Sequence, residues 1–331
     1  MWLLGVLFLN SILACLCSDD FIHRWNSFKT LHNKTYSNPE ENSRRMEIFR
    51  RNVDMVAEHN ARYARGETLS YLGINRFSDM EGHELNGNNL DIADLPLTNR
   101  WAPRRRLRRQ VDTGIQNIIS IDWRQKGVVT SVKNEESCGS SWAFSVVGCV
   151  ESRQALANGQ SPNDLSPQQL VDCDDNDSGC NGGNPYNAML YMQNSGVEGW
   201  SSYPYAGMVQ SCRYVASKVV AKVSNVDFIQ GDEGEERMRQ EVQNNGPIAA
   251  TVNAASAAFT HYAGGIIADA SCPTTINHGV VIVGYGLEGP IPYWIVKNSW
   301  GSSWGEQGYF RILRGRNICG INTLSVFADA Q

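Results

Sequence analysis

Charge is scarce in this 331-residue chain: Asp, Glu, Lys and Arg make up only 19% of it, and the formal net charge is -5. That balance argues against a nucleic-acid partner, because affinity for phosphate backbones comes from accumulated Lys and Arg. Beyond the first 17 residues no stretch approaches the ~18 apolar residues that a membrane-spanning helix needs. No C-x-x-C pair is present, which removes the usual ligand spacing of a zinc ribbon. The acidic run Asp172, Asp174, Asp175, Asn176 and Asp177 also fails as a calcium loop. Counted from Asp172, the sixth position is Asp177 where such a loop needs Gly, and the twelfth is Gly183 where it needs Glu. The expectation is therefore no metal and no cofactor. No internal repeat and no low-complexity tract appear. With 42% hydrophobic residues, the chain can bury an ordinary globular core as one large domain or two.

Cysteine is absent from 18–137, then frequent: Cys138, Cys149, Cys173, Cys180, Cys212, Cys272 and Cys319. Cys15 and Cys17 close an N-terminal apolar stretch, Met1 to Cys17, too short to cross a bilayer and lacking Lys or Arg. It reads as a secretory signal peptide, the alternative being an uncleaved buried element. In an oxidising compartment, seven cysteines suggest three disulfides and one free thiol. Two sequons, at Asn33 and Asn176, could then carry glycans.

Between Glu41 and Asn60 the residues Glu41, Arg45, Phe49, Asn52, Val56 and Asn60 recur at spacings of three and four, which places them on one helical stripe. A solvated amphipathic helix is the plain reading. The stripe resembles the ERFNIN pattern in propeptides of papain-like cysteine peptidases, and Gly73-Ile74-Asn75-Arg76-Phe77-Ser78-Asp79 is similar to the G-x-N-x-F-x-D element that follows it there. The resemblance implies an inhibitory, folding-assisting prosegment over 18–109. Six arginines crowd 100–109, a self-repelling run expected to be an exposed linker. Arg106-Leu107-Arg108-Arg109 fits a convertase site ending at Arg109, the alternative being a patch for acidic surfaces.

The segment from 110 to Gln331 then forms the main domain. Its first part carries helical pattern: Ala143, Val146, Val147 and Val150 share a face, and Gly159 stands where a helix should stop. After Cys212 come short apolar runs such as 219–221, 248–252, 280–283, 293–296 and 309–312, which read as strands. The resemblance implies an α+β papain-like fold, a helical subdomain packed against a β-barrel-like subdomain with a cleft between.

Residues 134–145 carry the chemistry. Cys138-Gly139-Ser140-Ser141-Trp142 resembles the C-G-[SA]-C-[WY] active-site signature, with serine at the nucleophile position. Ser141 should sit at a helix N-terminus, whose dipole helps ionise a thiol but offers a serine only about 1 kcal/mol. His278, in Asn277-His278-Gly279, falls in the family's interval for the base, and Asn298, in Asn298-Ser299-Trp300-Gly301, is implied as its orienting amide, shielded by Trp300. Glu135 replaces the glutamine that donates to the oxyanion in relatives. Losing one such donor costs about 3–4 kcal/mol of transition-state stabilisation. Changes in both nucleophile and oxyanion hole imply a pseudoprotease. The alternative is an active hydrolase using Ser141, His278 and Asn298.

The resemblance further implies disulfides Cys138–Cys180, Cys173–Cys212 and Cys272–Cys319. Cys149 is left free, eight residues after Ser141 and roughly 12 Å along the helix, too far to substitute for it. Gly182 and Gly183 would let a peptide backbone approach, and Asn184, Pro185, Ile276 and Leu324 would line an apolar specificity pocket. Within the family, Gly264-Gly265-Ile266-Ile267 and Asn317-Ile318-Cys319-Gly320-Ile321 are most similar to the cathepsin O branch, within a cathepsin L/O-like group. The expected partners are the chain's own propeptide and a peptide or protein ligand in the cleft, with no nucleic acid and no membrane. The expected state is a monomer in the lysosome or extracellular space.

Overall fold

A computed structural model describes residues 20–84, 119–231 and 234–331. The apolar leader over 1–17 and the arginine run ending at Arg109 lie outside the described residues.

The N-terminal unit is built on two helices, α1 over 20–31 and α2 at Pro39–Ala64. Asn38 caps α2 by accepting the Glu40 amide, and Pro39 follows at a position where its missing N–H costs nothing. Trp25, Phe28, Phe49 and Val53 form a small separate core between the two helices.

The stripe predicted on α2 is not a solvated face. Arg45 donates to the Asp79 carbonyl at 3.0 Å and to the Glu84 carboxylate at 2.7 Å, and Asn52 donates to the Ser78 carbonyl at 3.0 Å. Asn60 both donates to the Leu72 carbonyl and accepts its amide, each at 2.8 Å. Polar groups at helical spacing thus satisfy backbone groups of the 72–84 segment, which leaves β1 through a turn at 76–79 and has no strand partner on that side. β1, Ser70–Leu72, is held in the same way from one edge by α2 and from the other by a strand of the main domain.

In the main domain, α3 spans Ser141–Asn158 and is buried from Ser141 to Ala155, so it shows no polar face. Gly159 ends it in a left-handed conformation, as its sequence position predicts. α4 (Pro167–Cys173) and α5 (Pro185–Ser195) complete the helical layer, each with a polar cap and Pro at its first turn. A two-stranded ribbon, β3 (Val197–Glu198) with β4 (Val219–Ala221), edges it.

The remaining strands are β2 (Ile121–Asp122), β5 (Val223–Ile229), β6 (Ile248–Val252), β7 (Tyr262–Ile267), β8 (His278–Glu288), β9 (Ile291–Lys297), β10 (Tyr309–Leu313) and β11 (Ser325–Ala330), with α6 (Gly234–Asn245) and α7 (Ala257–Thr260) between them. They pair in the order β1-β7-β10-β9-β8-β6-β11-β5, with β2 on β8. The α+β class holds, but the barrel-like expectation is corrected: the pairing path is open, ending at β5 and at the prosegment strand β1. α3 packs across β8, β11 and β6, joining the helical layer to the sheet in one core. Phe77 and Met80 of the N-terminal unit pack into or against that core.

Three disulfides join Cys138–Cys180, Cys173–Cys212 and Cys272–Cys319, and Cys149 is a buried free thiol. Loops of 39 to 47 residues closed by such bridges stabilise a fold by roughly 3–4 kcal/mol each in the chain-entropy account.

Candidate active site

Ser141 is the first residue of α3 and is wholly buried. The loop before it is pinned on both sides. Gly139 donates to the Cys180 carbonyl at 2.9 Å beside the Cys138–Cys180 bridge, and the Trp142 indole donates to the Gly179 carbonyl at 3.1 Å. Gly183 passes over Trp142 so closely that a Cβ there would lie 2.6 Å from the indole. That contact is why the 182–183 segment needs glycine at its second position.

His278 opens β8 and projects from the strand that crosses the start of α3. Gly279, beside it, approaches Ser141 so tightly that a Cβ would fall 2.6 Å from the Ser141 carbonyl. Its amide donates to Ser141 Oγ at 3.0 Å. Among the described residues, no hydrogen bond joins Ser141 Oγ to the His278 ring.

Asn298, just past β9, accepts from His278 Nε2 at 2.7 Å and from the Ser299 amide at 2.8 Å through the same Oδ1. With Nε2 donating, the neutral ring turns its lone pair at Nδ1 toward the cleft. Nδ1 lies 3.8 Å from Glu135 Oε1, which itself accepts the Trp300 indole N–H at 2.7 Å. Trp300 covers the ring, with centroids 4.9 Å apart. Glu135 Oε2 is buried and has no hydrogen-bond partner.

Burial dominates the electrostatics. It pushes the Glu135 carboxyl up to about 8, against the pulls of the Trp300 N–H and the Arg76 guanidinium. It drives His278 down to about 4, against the Asn298 contact that favours the charged ring. Both groups are therefore neutral between those values. A thiolate at position 141 would stabilise an imidazolium; a serine hydroxyl held by a backbone amide carries no charge to do so.

The structure brings His278, Asn298, Glu135 and Trp300 into one cluster, with Ser141 beside it but bonded elsewhere. Gly182 and Gly183 lie buried near Trp142. Pro185, Ile276 and Leu324 are also buried, Leu324 completely. A cavity of about 700 Å³ lies between the N-terminal unit and the site, lined among others by Arg76, Phe77, Asn134, Glu135, Glu136, His278 and Trp300. None of Pro185, Ile276 and Leu324 lines it. Asn33 and Asn176 are exposed. Among the described residues no cluster of metal-ligating side chains occurs, and no helix is long and apolar enough to cross a membrane.

Two features escaped the sequence reading. Gly279 was seen only as the residue after a histidine, although a glycine there already signals close backbone approach. Arg76 was read only as a variable position of the G-x-N-x-F-x-D element, yet it lines the cavity beside Glu135 and Glu136.

Comparison with known proteins agrees with this arrangement. Residues 119–328 match the model of papain family cysteine proteases, and residues 25–85 match that of the cathepsin propeptide inhibitor domain. A cathepsin L-like proteinase of Phaedon cochleariae is 37% identical over 92% of both chains. Pro-cathepsin H of Bos taurus is 39% identical over 98% of this chain and 95% of its own. The structure of digestive procathepsin L2 from Tenebrio molitor superposes with a TM-score of 0.84 at 34% identity, covering 93% of this chain and 99% of that one.

Proposed function

We propose that this chain, which belongs to the papain family of cysteine proteases, is a pseudoprotease whose cleft holds a peptide without cutting it. The observation that carries the reading is the pairing of Ser141 Oγ with the Gly279 amide at 3.0 Å. In the family's chemistry this position holds the attacking thiol, activated by the histidine. Here the oxygen is engaged as an acceptor, and the lone pair of His278 Nδ1 faces a carboxyl group at 3.8 Å instead of a nucleophile's proton. Glu135 adds a second lesion. As a neutral acid it donates at most one hydrogen bond, and when ionised it repels a developing oxyanion.

The propeptide inhibitor domain is the cleft's first partner, since it already lies over the site in this structure. The proposed organisation is a leader over 1–17, a prosegment over 18–109 ending at Arg109, and a main domain from 110 to 331. Glycans at Asn33 and Asn176 and a lysosomal or extracellular destination fit that route. Assignment to the cathepsin O branch rests on short motifs alone.

Turnover of a fluorogenic dipeptide substrate with an apolar anchor tests the reading, using processed wild type, Ser141→Cys, and Ser141→Cys combined with Glu135→Gln. Wild type should be inert, and the double variant should exceed the single one. Appreciable wild-type turnover that Ser141→Ala abolishes would sink the proposal in favour of a serine hydrolase built on Ser141, His278 and Asn298.

A further inference from the structure

We infer that Asn134, Glu135 and Glu136 form a receptor for an arginine followed by an aromatic residue presented in a tight turn, and that Arg76 and Phe77 of this chain occupy it here. The inference rests on reading the cleft as a peptide holder, and it names the ligand class that the altered site prefers.

Asn134 is the anchor. Its Oδ1 accepts from Arg76 Nη2 at 2.9 Å and from the Glu136 amide at 3.1 Å, so one side-chain oxygen ties the prosegment arginine to the loop that carries both acids. Glu136 holds a positive φ of 59°, a conformation that costs a non-glycine residue on the order of 1 kcal/mol and persists only where surroundings impose it. Gly207 leaves room for its carboxylate, since a Cβ there would lie 2.9 Å from Glu136 Oε2.

Glu135 contributes from the buried side. Its Oε1 is fixed by the Trp300 indole, and as a buried neutral acid it walls the site without adding charge. The Arg76 guanidinium does not close a direct ion pair with either acid among the described residues. The Glu136 carboxylate nevertheless acts on it through its charge, opposing the burial that would otherwise disfavour a cation there. Lys34, another cation lining the same cavity, is bound to Asp79 at 2.9 Å, which leaves Arg76 as the group facing the acids.

Phe77 supplies the second element. It packs edge-on against Trp300 with centroids 5.0 Å apart, and the guanidinium of Arg76 lies 4.7 Å above its ring. An arginine stacked on a buried aromatic retains its charge while shedding water, which suits a site with the exposed Glu136 carboxylate at its rim.

The test uses the full chain and amide exchange at Gly73, whose N–H donates to the His261 carbonyl at 2.8 Å across the interface. Arg76→Gln and Glu136→Gln should each speed that exchange about five- to tenfold, and the double variant should be no faster than either single one, the sign of direct coupling. Strictly additive effects, or no effect of Glu136→Gln, would overturn the receptor. A second arm adds, at millimolar concentration to compete with the tethered segment, a peptide of residues 73–79 to the Arg76→Gln chain. This peptide should speed Gly73 exchange further, and its analogue with Gln for Arg should not. Equal effects of the two peptides would refute the ligand class. Turnover by wild type would defeat the pseudoprotease reading without touching the coupling, so the two failures are separable.

Discussion

The hydroxyl of Ser141 and the amide of Gly279 meet at 3.0 Å, where the first turn of α3 and the first residues of β8 approach as closely as their backbones allow. The contact fills one acceptor site of the hydroxyl and gives this serine a structural role at the junction of helix and strand.

Ser141→Ala should therefore destabilise the protein even though alanine suits a helix. It leaves the buried Gly279 amide without an acceptor, at a cost of about 1–2 kcal/mol. The denaturant midpoint reads this directly, and an unchanged midpoint would mean that the amide has another partner.

Glu135→Gln should change the pH dependence of stability. The native Glu135 carboxyl sits near 8, above its ordinary value of 4.5, so the folded state binds the extra proton between those values and loses stability as pH rises through 8. His278 works the other way, lowered from 6.5 to about 4, so its contribution grows with pH over that window and is complete above it. Between pH 6.5 and 8 Glu135 alone of this pair still contributes, and groups common to both proteins, such as the raised Asp177, cancel in the comparison. Wild type should lose about 2 kcal/mol relative to Glu135→Gln over that interval. Thermal midpoints of the two proteins should diverge with rising pH; parallel curves would contradict a buried neutral acid.

Asn60→Ala should loosen the prosegment selectively. Asn60 satisfies both the amide and the carbonyl of Leu72, the residue at which β1 bulges against Tyr262. Removing it strands two backbone groups at about 1–3 kcal/mol. Exchange at Leu72 should accelerate at least fivefold, with amides of β8 and β9 unaffected.

Gly183→Ala tests the cleft wall. A Cβ there would collide with the Trp142 indole at 2.6 Å, so the loop or the ring must shift, at about 1–3 kcal/mol. Near-ultraviolet circular dichroism of the buried indole should change along with the midpoint.

Much of this arrangement was legible in the chain. The apolar face from Ala143 to Val150, Gly159 and the run of apolar segments after Cys212 place α3 and the strands from local preferences alone. The six-residue stripe on α2 was legible too, although its role was not: whether polar groups on a helix face water or another segment's backbone depends on what packs there. Arg76 and Glu136 were unreadable as a pair, because 60 positions separate them and neither carries a spacing signal.

By itself, the order of residues settled membership of a fold and the identity of each group at the site: Ser141, His278, Asn298 and Glu135 stand in segments whose motifs are continuous and local. Only the tertiary structure decided what those groups do to one another. A hydroxyl can donate or accept in many directions, and its partner is chosen by which backbone arrives within 3 Å. A carboxyl and an imidazole are neutral or charged according to how much water the surrounding core excludes. Here β8 brings the Gly279 amide to Ser141, and burial neutralises Glu135 and His278, so the contacts and protonation of the site follow from packing that no single segment encodes.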